Sequence, residues 1–328
     1  MKIIVDGFGG DNAPLAVLQG CEMGIKLYDV DIIITGDEQK LKTVAQENNI
    51  NLDRIEIVHT PAVIEVKDNP MRIIKDKKDS SMGVALTLLS EGKGDAALSA
   101  GSTAALVVGA STIVKRIKGV KRAALASIIP SISGCYMLLD VGANLDVKPE
   151  VMTQFGVMGS VYMNKVLNVD NPKVGIVNIG TEDCKGTELQ IETYELLKQA
   201  PLNFIGNIEA REMPLDGADV VVADGFTGNV ILKHTEGMGK MFALMIKSIF
   251  GKGIFSKLAA VMVLGGIKNL KKKMDYTEYG GAPLMGTKKP VIKAHGSSNA
   301  KAFSSAIKQA KFYAENNVIK TIEDNISK

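Results

Sequence analysis

The chain has 328 residues, 46% hydrophobic and 23% charged, an ordinary globular balance with room for one large α/β domain or two fused lobes. Tryptophan is absent, aromatics are 5% and the net charge is +3, so no nucleic-acid partner is expected. Cys21, Cys135 and Cys184 are odd in number and far apart, which fits a reducing cytoplasm and neither a disulfide framework nor a metal knuckle. The N-terminus is too short in apolar length for a secretory signal, and no run is long enough to span a membrane.

Residues 3–5 read as a strand ending in Gly7, Gly9 and Gly10. A helix starts near Pro14, and Val17, Cys21 and Ile25 give it one apolar face. Residues 31–35 are the next strand, followed by a polar helix through Glu47 and a strand over 54–59. Residues 96–98 run into Ser99-Ala100-Gly101-Ser102-Thr103, with Leu106, Val107 and Ala110 on the helix behind. Residues 136–139 lead into Asp140-Val141-Gly142-Ala143-Asn144. The apolar run 174–179 ends in Gly180-Thr181-Glu182-Asp183-Cys184-Lys185-Gly186, and Thr187 and Gln190 have capping-box spacing. Residues 220–223 read as a buried strand and 224–229 as the turn after it. One last helix is expected over about 299–326, with Phe303, Ile307, Ala310 and Ala314 on a stripe. Repeated strand–turn–helix units predict an α/β fold, a mostly parallel sheet with helices on both faces. No linker or short repeat marks a boundary, and residues 1–328 are read as a single two-lobed domain.

The chemistry concentrates in the turns. Free N–H groups at a helix start attract anions, and Lys185 adds a full charge where a cation opposes the helix dipole, which hints at a bound anion. Cys184 beside it has no histidine nearby in sequence to activate it. Gly7 and Gly9 match the first two glycines of a dinucleotide fingerprint, but position 12 is Asn, so nicotinamide binding is a weak reading. Asn229 can donate its amide to an oxyanion, and Asp224 can cap its turn or orient a partner. Of the three histidines, His59, His234 and His295, the last is the best substrate-site candidate, in Lys293-Ala294-His295-Gly296-Ser297-Ser298. Arg72, Lys75, Lys77 and Lys78, or Arg116, Lys118, Lys121 and Arg122, could meet an acidic partner, or be solvated faces. The aspartates lack metal-ligand spacing, and neither a metal nor a cofactor is expected. Residues 237–274 hold eight lysines and no Asp or Glu around the apolar run 258–267. Such a segment suits an anionic bilayer surface or a dimer contact, with Leu258, Val261, Lys271 and Lys272 as candidate membrane residues.

Taken together, these motifs resemble the PlsX phosphate acyltransferases over essentially the full length. The residues that carry the resemblance are Val5-Asp6-Gly7-Phe8-Gly9-Gly10-Asp11, Lys77-Lys78-Asp79-Ser80-Ser81-Met82, Leu139 to Asn144, Gly180 to Gly186, Gly206-Asn207-Ile208-Glu209-Ala210-Arg211, Asp224 to Asn229, Tyr279-Gly280-Gly281-Ala282 and Lys293 to Ser298. The resemblance implies a Rossmann-like αβα sandwich similar to the isocitrate/isopropylmalate dehydrogenases and phosphotransacetylases. It implies transfer of a long acyl chain from acyl carrier protein to inorganic phosphate, giving acyl phosphate for phospholipid synthesis. It makes Lys185 and Asn229 the catalytic pair, and Asp6, Gly9, Gly10, Asp11, Thr181, Asp224, Thr227, Gly228 and His295 candidates for binding phosphate or substrate. It also implies a homodimer resting peripherally on the inner face of the cell membrane, near the glycerol-3-phosphate acyltransferase that consumes the product. Phe8, Ser102, Ala104 and Ala123 depart from the usual Met, Asn, Gly and Pro.

Overall fold

The computed structural model describes residues 1–251, 253, 262, 263, 265, 266 and 280–326. Strands β1 (Lys2–Asp6), β2 (Asp31–Gly36), β3 (Ile55–His59), β4 (Ala96–Ser99), β5 (Ala124–Pro130) and β6 (Cys135–Leu139) come from the first half of the chain. From the second half come β7 (Lys173–Asn178), β8 (Asn203–Glu209), β9 (Val220–Val222), β10 (Ala282–Met285) and β11 (Val291–Lys293). They form one sheet in the order β3-β2-β1-β4-β11-β10-β5-β6-β9-β7-β8.

Seven of the neighbouring pairs are parallel, and the three antiparallel ones all lie at the centre, β11–β10, β10–β5 and β5–β6. These reversals turn the β6-β9-β7-β8 block against the β3-β2-β1-β4-β11 block. The carboxyl ends of the two parallel blocks therefore face opposite edges of the sheet, and β10 and β5 cross between them. The mostly parallel sheet of the sequence reading is present, with the polarity switch as an addition.

The inner parallel strands are apolar on both faces, as covered parallel strands must be. Ile3 and Val5 join one core with Ile32 and Ile34, whereas Ile4 and Ile33 join the other. The first face is covered by α1 (Leu15–Tyr28), α5 (Pro149–Leu167) and α8 (Ala300–Glu315), which contribute Leu18, Phe155 and Phe303. The second face carries α3 (Ser81–Ser90) and α4 (Thr103–Gly109), through Leu86 and Leu106. Helices α2 (Glu38–Glu47), α6 (Glu188–Gln199), α7 (Gly225–Gly251) and α9 (Val318–Ile326) complete the described set.

Three expected boundaries move. The C-terminal helix is two helices, because Asn317 adopts a left-handed φ of 53° between α8 and α9. Residues 224–229 are not a free turn. The Asp224 carboxylate accepts the N–H groups of Phe226 (3.0 Å) and Thr227 (2.9 Å), so α7 begins at Gly225. Strand β7 stops at Asn178 and leaves Ile179 81% exposed. The expected capping box is present at α6, where Gln190 Oε1 accepts the Thr187 N–H at 3.0 Å.

Among the described residues, helix α7 is packed at its start. Met241, Phe242, Leu244, Met245 and Ile249 in its later turns are all exposed. Leu258, Val261, Lys271 and Lys272 lie outside the described residues. Among the described residues, no helix is long and apolar enough to cross a membrane.

Candidate active site

The turns after β1, β4 and β11 lie side by side at one carboxyl edge and are locked together by buried polar groups. Ser99 Oγ donates to Asp6 Oδ2 at 2.7 Å and accepts the Gly101 N–H at 3.0 Å. Ala294 donates its N–H to Ser99 O at 2.9 Å. Asp11 donates its N–H to Gly296 O at 2.8 Å, and Asn12 Nδ2 donates to Ser297 O and Ser298 O, both at 3.2 Å. Gly9 is required by close approach, since a Cβ there would lie 2.6 Å from Asp6 Oδ2 and from Gly101 N. Asp6, Gly9, Gly10 and Asp11 thus brace this edge.

Lys293 ends β11 within the same knot and is only 7% exposed. Its Nζ donates to Ala100 O at 3.2 Å and to Ala294 O. Burial lowers its pKa to about 8, against the pull of Asp6 and Asp11, while Lys233 adds to the lowering. Burial also raises the Asp6 carboxyl, opposed by the Ser99 hydroxyl, the Phe8 N–H and the Lys293 charge.

The opposite carboxyl edge is built around Asp140. Its carboxylate accepts the N–H groups of Leu125 (3.0 Å), Gly142 (3.2 Å), Ala143 (3.1 Å) and Asn144 (2.7 Å), and the Asn144 side-chain amide (2.9 Å). The α7 start packs directly on this turn. A Cβ on Gly228 would lie 1.9 Å from Asp140 O, and Asn229 Nδ2 donates to Val141 O at 2.8 Å. Thr227 Oγ1 donates to Asp224 Oδ2 at 2.7 Å. Asp224, Thr227 and Gly228 therefore form the capped helix start that holds Asn229.

A cavity of about 490 Å³ runs across the reversed strands from one edge to the other. Lys293, His295 and Ser298 line it at the first edge, and Asn229, Lys233 and Glu236 at the second. Leu125, Ile128, Val141 and Leu232 give it an apolar wall. Ser298 is 8% exposed, and its Oγ has no hydrogen-bond partner, so a polar group beside the cavity is left for a ligand or water. His295 Nδ1 lies 2.9 Å from Ser297 Oγ. Thr103 and Ala104 also line the cavity, while Ser102 accepts the Ala105 N–H at 3.4 Å as the cap of α4.

Thr181 and Lys185 do not line this cavity. Their loop follows β7, two strands from β6, at the same edge as Asn229, and both residues are exposed. Asn178 Nδ2 holds the loop by donating to Lys185 O at 2.9 Å, and Asn207 Nδ2 by donating to Glu182 O at 2.6 Å. Leu145, Ile179 and Phe226, on the turns after β6, β7 and β9, are 64–81% exposed, so this edge presents apolar side chains beside the exposed Glu182, Asp183 and Lys185.

A family model described as fatty acid synthesis protein matches residues 1–321. The chain belongs to the fatty acid synthesis protein family. The phosphate acyltransferase of Alkaliphilus oremlandii is 47% identical over 327 residues, covering 100% of this chain and 98% of that protein. The phosphate acyltransferase of Clostridioides difficile is 46% identical over 329 residues, covering 100% and 97%. The crystal structure of a phosphotransacetylase from Streptococcus pyogenes superposes with a TM-score of 0.65 at 16% identity, covering 95% of this chain and 94% of that one. That last likeness concerns the fold, which is the one the sequence resemblance implied.

Within this fatty acid synthesis protein, the sequence reading misses Lys293, Lys233 and Ser298 as cavity residues. One signal was available for Lys293, a lysine closing a short strand of apolar residues directly before Ala294 and His295. Ser298 closes that same motif, while Lys233 carries no mark, because a helical lysine is ordinary at the surface. Among the described residues, no group of three or more His, Cys, Asp or Glu could hold a metal ion.

Proposed function

We propose that this chain transfers a long-chain fatty acyl group from acyl carrier protein to inorganic phosphate, giving acyl phosphate for phospholipid synthesis. The observation that carries this reading is the full-length likeness to phosphate acyltransferases. The cavity supports it, with an apolar wall suited to an acyl chain and cationic groups suited to phosphate. In this reading Lys185 and neighbouring N–H groups bring phosphate to the site, and Lys293 offsets its charge inside, where Lys233 is paired with Glu236 at 2.8 Å. A phosphate oxygen attacks the thioester carbonyl carbon, and Asn229 donates to the oxygen on which negative charge develops. Collapse of the tetrahedral intermediate breaks the C–S bond. The thiolate leaves and takes the proton that phosphate gives up. Phosphate is already anionic near neutral pH, so proximity supplies much of the rate without a strong general base.

We further read residues 1–328 as one two-lobed cytoplasmic unit that dimerises and rests peripherally on the inner face of the membrane, close to the glycerol-3-phosphate acyltransferase that takes its product. The exposed apolar residues late in α7 support an unfilled contact there, and the eight lysines of 237–274 suit anionic lipid. Sedimentation with anionic vesicles tests this part. Leu258→Glu with Val261→Glu is expected to abolish co-sedimentation, and unchanged binding rejects it. For the reaction, purified protein is incubated with acyl-carrier thioester and phosphate, and product is trapped with hydroxylamine. Phosphate-dependent hydroxamate is expected. Turnover only with a coenzyme A thioester would redirect the reading to phosphotransacetylase chemistry.

A further inference from the structure

The two basic segments of the sequence have different fates in the fold. In the first, Arg72 pairs with Asp68 (2.9 Å) and Asp76 (2.6 Å), and Lys77 pairs with Asp68 at 2.7 Å and donates to Val63 O. Those charges are satisfied within the chain. In the second, Ile117, Val120 and Ala123 are buried as anchors and turn Lys115, Arg116, Lys118, Lys121 and Arg122 outward, all exposed. Residues 115–117 run antiparallel to 286–288. Ile117 donates its N–H to Gly286 O and Lys288 donates its N–H to Lys115 O, both at 2.9 Å, which adds exposed Lys288 and Lys289 to the patch.

The backbone beneath is fixed. Gln154 on α5 accepts the Lys121 N–H and donates to Gly119 O, both at 2.9 Å. Among the described residues the acidic groups nearby are few. Glu150 lies 3.9 Å from Lys121, exposed Asp146 is accompanied by exposed Lys148, and Glu323 and Asp324 on α9 pair with Lys320. The patch is contiguous with the cavity. Ala123 O accepts Asn144 Nδ2 at 2.8 Å, and Leu125, three residues beyond Arg122, is part of the cavity wall. At about 3.3 Å per extended residue, Arg122 stands about 10 Å from that wall.

We propose that the surface of Lys115, Arg116, Lys118, Lys121, Arg122, Lys288 and Lys289 docks the acidic carrier protein whose thioester enters the cavity. The inference rests on the acyl-carrier donor proposed above and assigns the face that receives it. Within segments 115–123 and 286–289 no apolar side chain is exposed, since Ile117, Val120 and Ala123 are all buried, and the exposed Leu145 belongs to the neighbouring turn after β6. An anionic bilayer would find nothing to insert there, whereas an acidic protein surface gains steering and register from charge alone. A flexible prosthetic arm longer than about 10 Å bridges the remaining gap.

The test is steady-state kinetics of Lys118→Glu/Lys121→Glu/Arg122→Glu, with Lys75→Glu/Lys78→Glu as a charge-reversal control on the other segment. The triple variant is expected to lose roughly thirtyfold in kcat/KM for acyl carrier protein at low ionic strength, together with most of the salt dependence of the wild type. Its KM for phosphate, its thermal midpoint and its vesicle sedimentation are expected to stay at wild-type values. A triple variant with wild-type kcat/KM, or a control variant with an equal loss, overturns the docking face. Loss of vesicle binding in the triple variant with unchanged carrier kinetics assigns the patch to lipid and overturns it as well. A wild-type protein that turns over only a coenzyme A thioester overturns the donor itself, and that outcome is recognised before any variant is compared.

Discussion

The two carboxyl edges of the sheet each present a lysine to the same proposed reaction, in opposite environments. Lys293 is buried, is held by two carbonyl oxygens and stands near Asp6 and Asp11, in a knot that spans residues 6 to 298. Lys185 is exposed on a loop anchored through its own backbone, with Asn229 on a neighbouring turn. A buried cation has a fixed position and a depressed pKa, so it can bind an anion strongly but only while protonated. An exposed one has reach, and leaves the fold nearly untouched when removed. The difference separates affinity for phosphate from delivery of phosphate.

The largest expected effect breaks the exposed side of this comparison. Lys185→Ala should lower phosphate-dependent hydroxamate formation by roughly a hundredfold or more, the scale of losing one charge-stabilising group. Its unfolding free energy should move by no more than about 0.5 kcal/mol, as for other exposed positions. An active variant would refute the role given to Lys185.

An intermediate effect sharpens the buried side. Lys293→Met should raise KM for phosphate by about tenfold, the cost of losing one charge-assisted contact, while KM for the acyl donor changes little. The sign of the pH dependence follows from the lowered pKa. Below about 8 the amine is an ammonium and holds the anion, and above about 8 it is neutral and releases it. KM for phosphate in the wild type should therefore rise as pH passes about 8, and Lys293→Arg should move that limb upward because the guanidinium stays charged. A flat profile across that range would remove Lys293 from the phosphate site.

The smallest effect concerns the helix start that carries Asn229. Asp224→Ala removes the acceptor for two N–H groups of α7 and should cost about 1 kcal/mol in denaturant unfolding. Turnover should fall as well, because Asn229 shares that first turn. Unchanged stability would show that the packing of Gly228 on Asp140 suffices to hold it.

Much of the scaffold was legible before any coordinates. Residues 3–5, 32–34 and 220–223 are continuous apolar runs, and runs closed by Gly, Asp or Ser turns are recognisable from composition alone. The Thr187–Gln190 cap is local chemistry over four residues and was equally readable. Strands β5, β8 and β10 escaped notice. Ala282–Met285 is only four residues long with Pro283 inside it, Ala124–Pro130 opens on small residues and ends in a proline, and Asn203–Glu209 mixes polar with apolar residues. The split at Asn317 escaped because the apolar stripe continues across it.

What the sequence by itself determined is the set of elements, the turns where chemistry gathers, and membership in a family through ordered motifs. These depend on residue type and spacing over a few positions. Only the tertiary structure decided that the central strands reverse, so that turns from opposite edges share one cavity. Only it decided that Lys293 is buried beside Asp6 while Lys185 is exposed, and that Arg72 and Lys77 are paired within the chain while the 115–122 segment faces solvent. Burial and charge pairing depend on groups brought together from distant parts of the chain, and no local pattern encodes them.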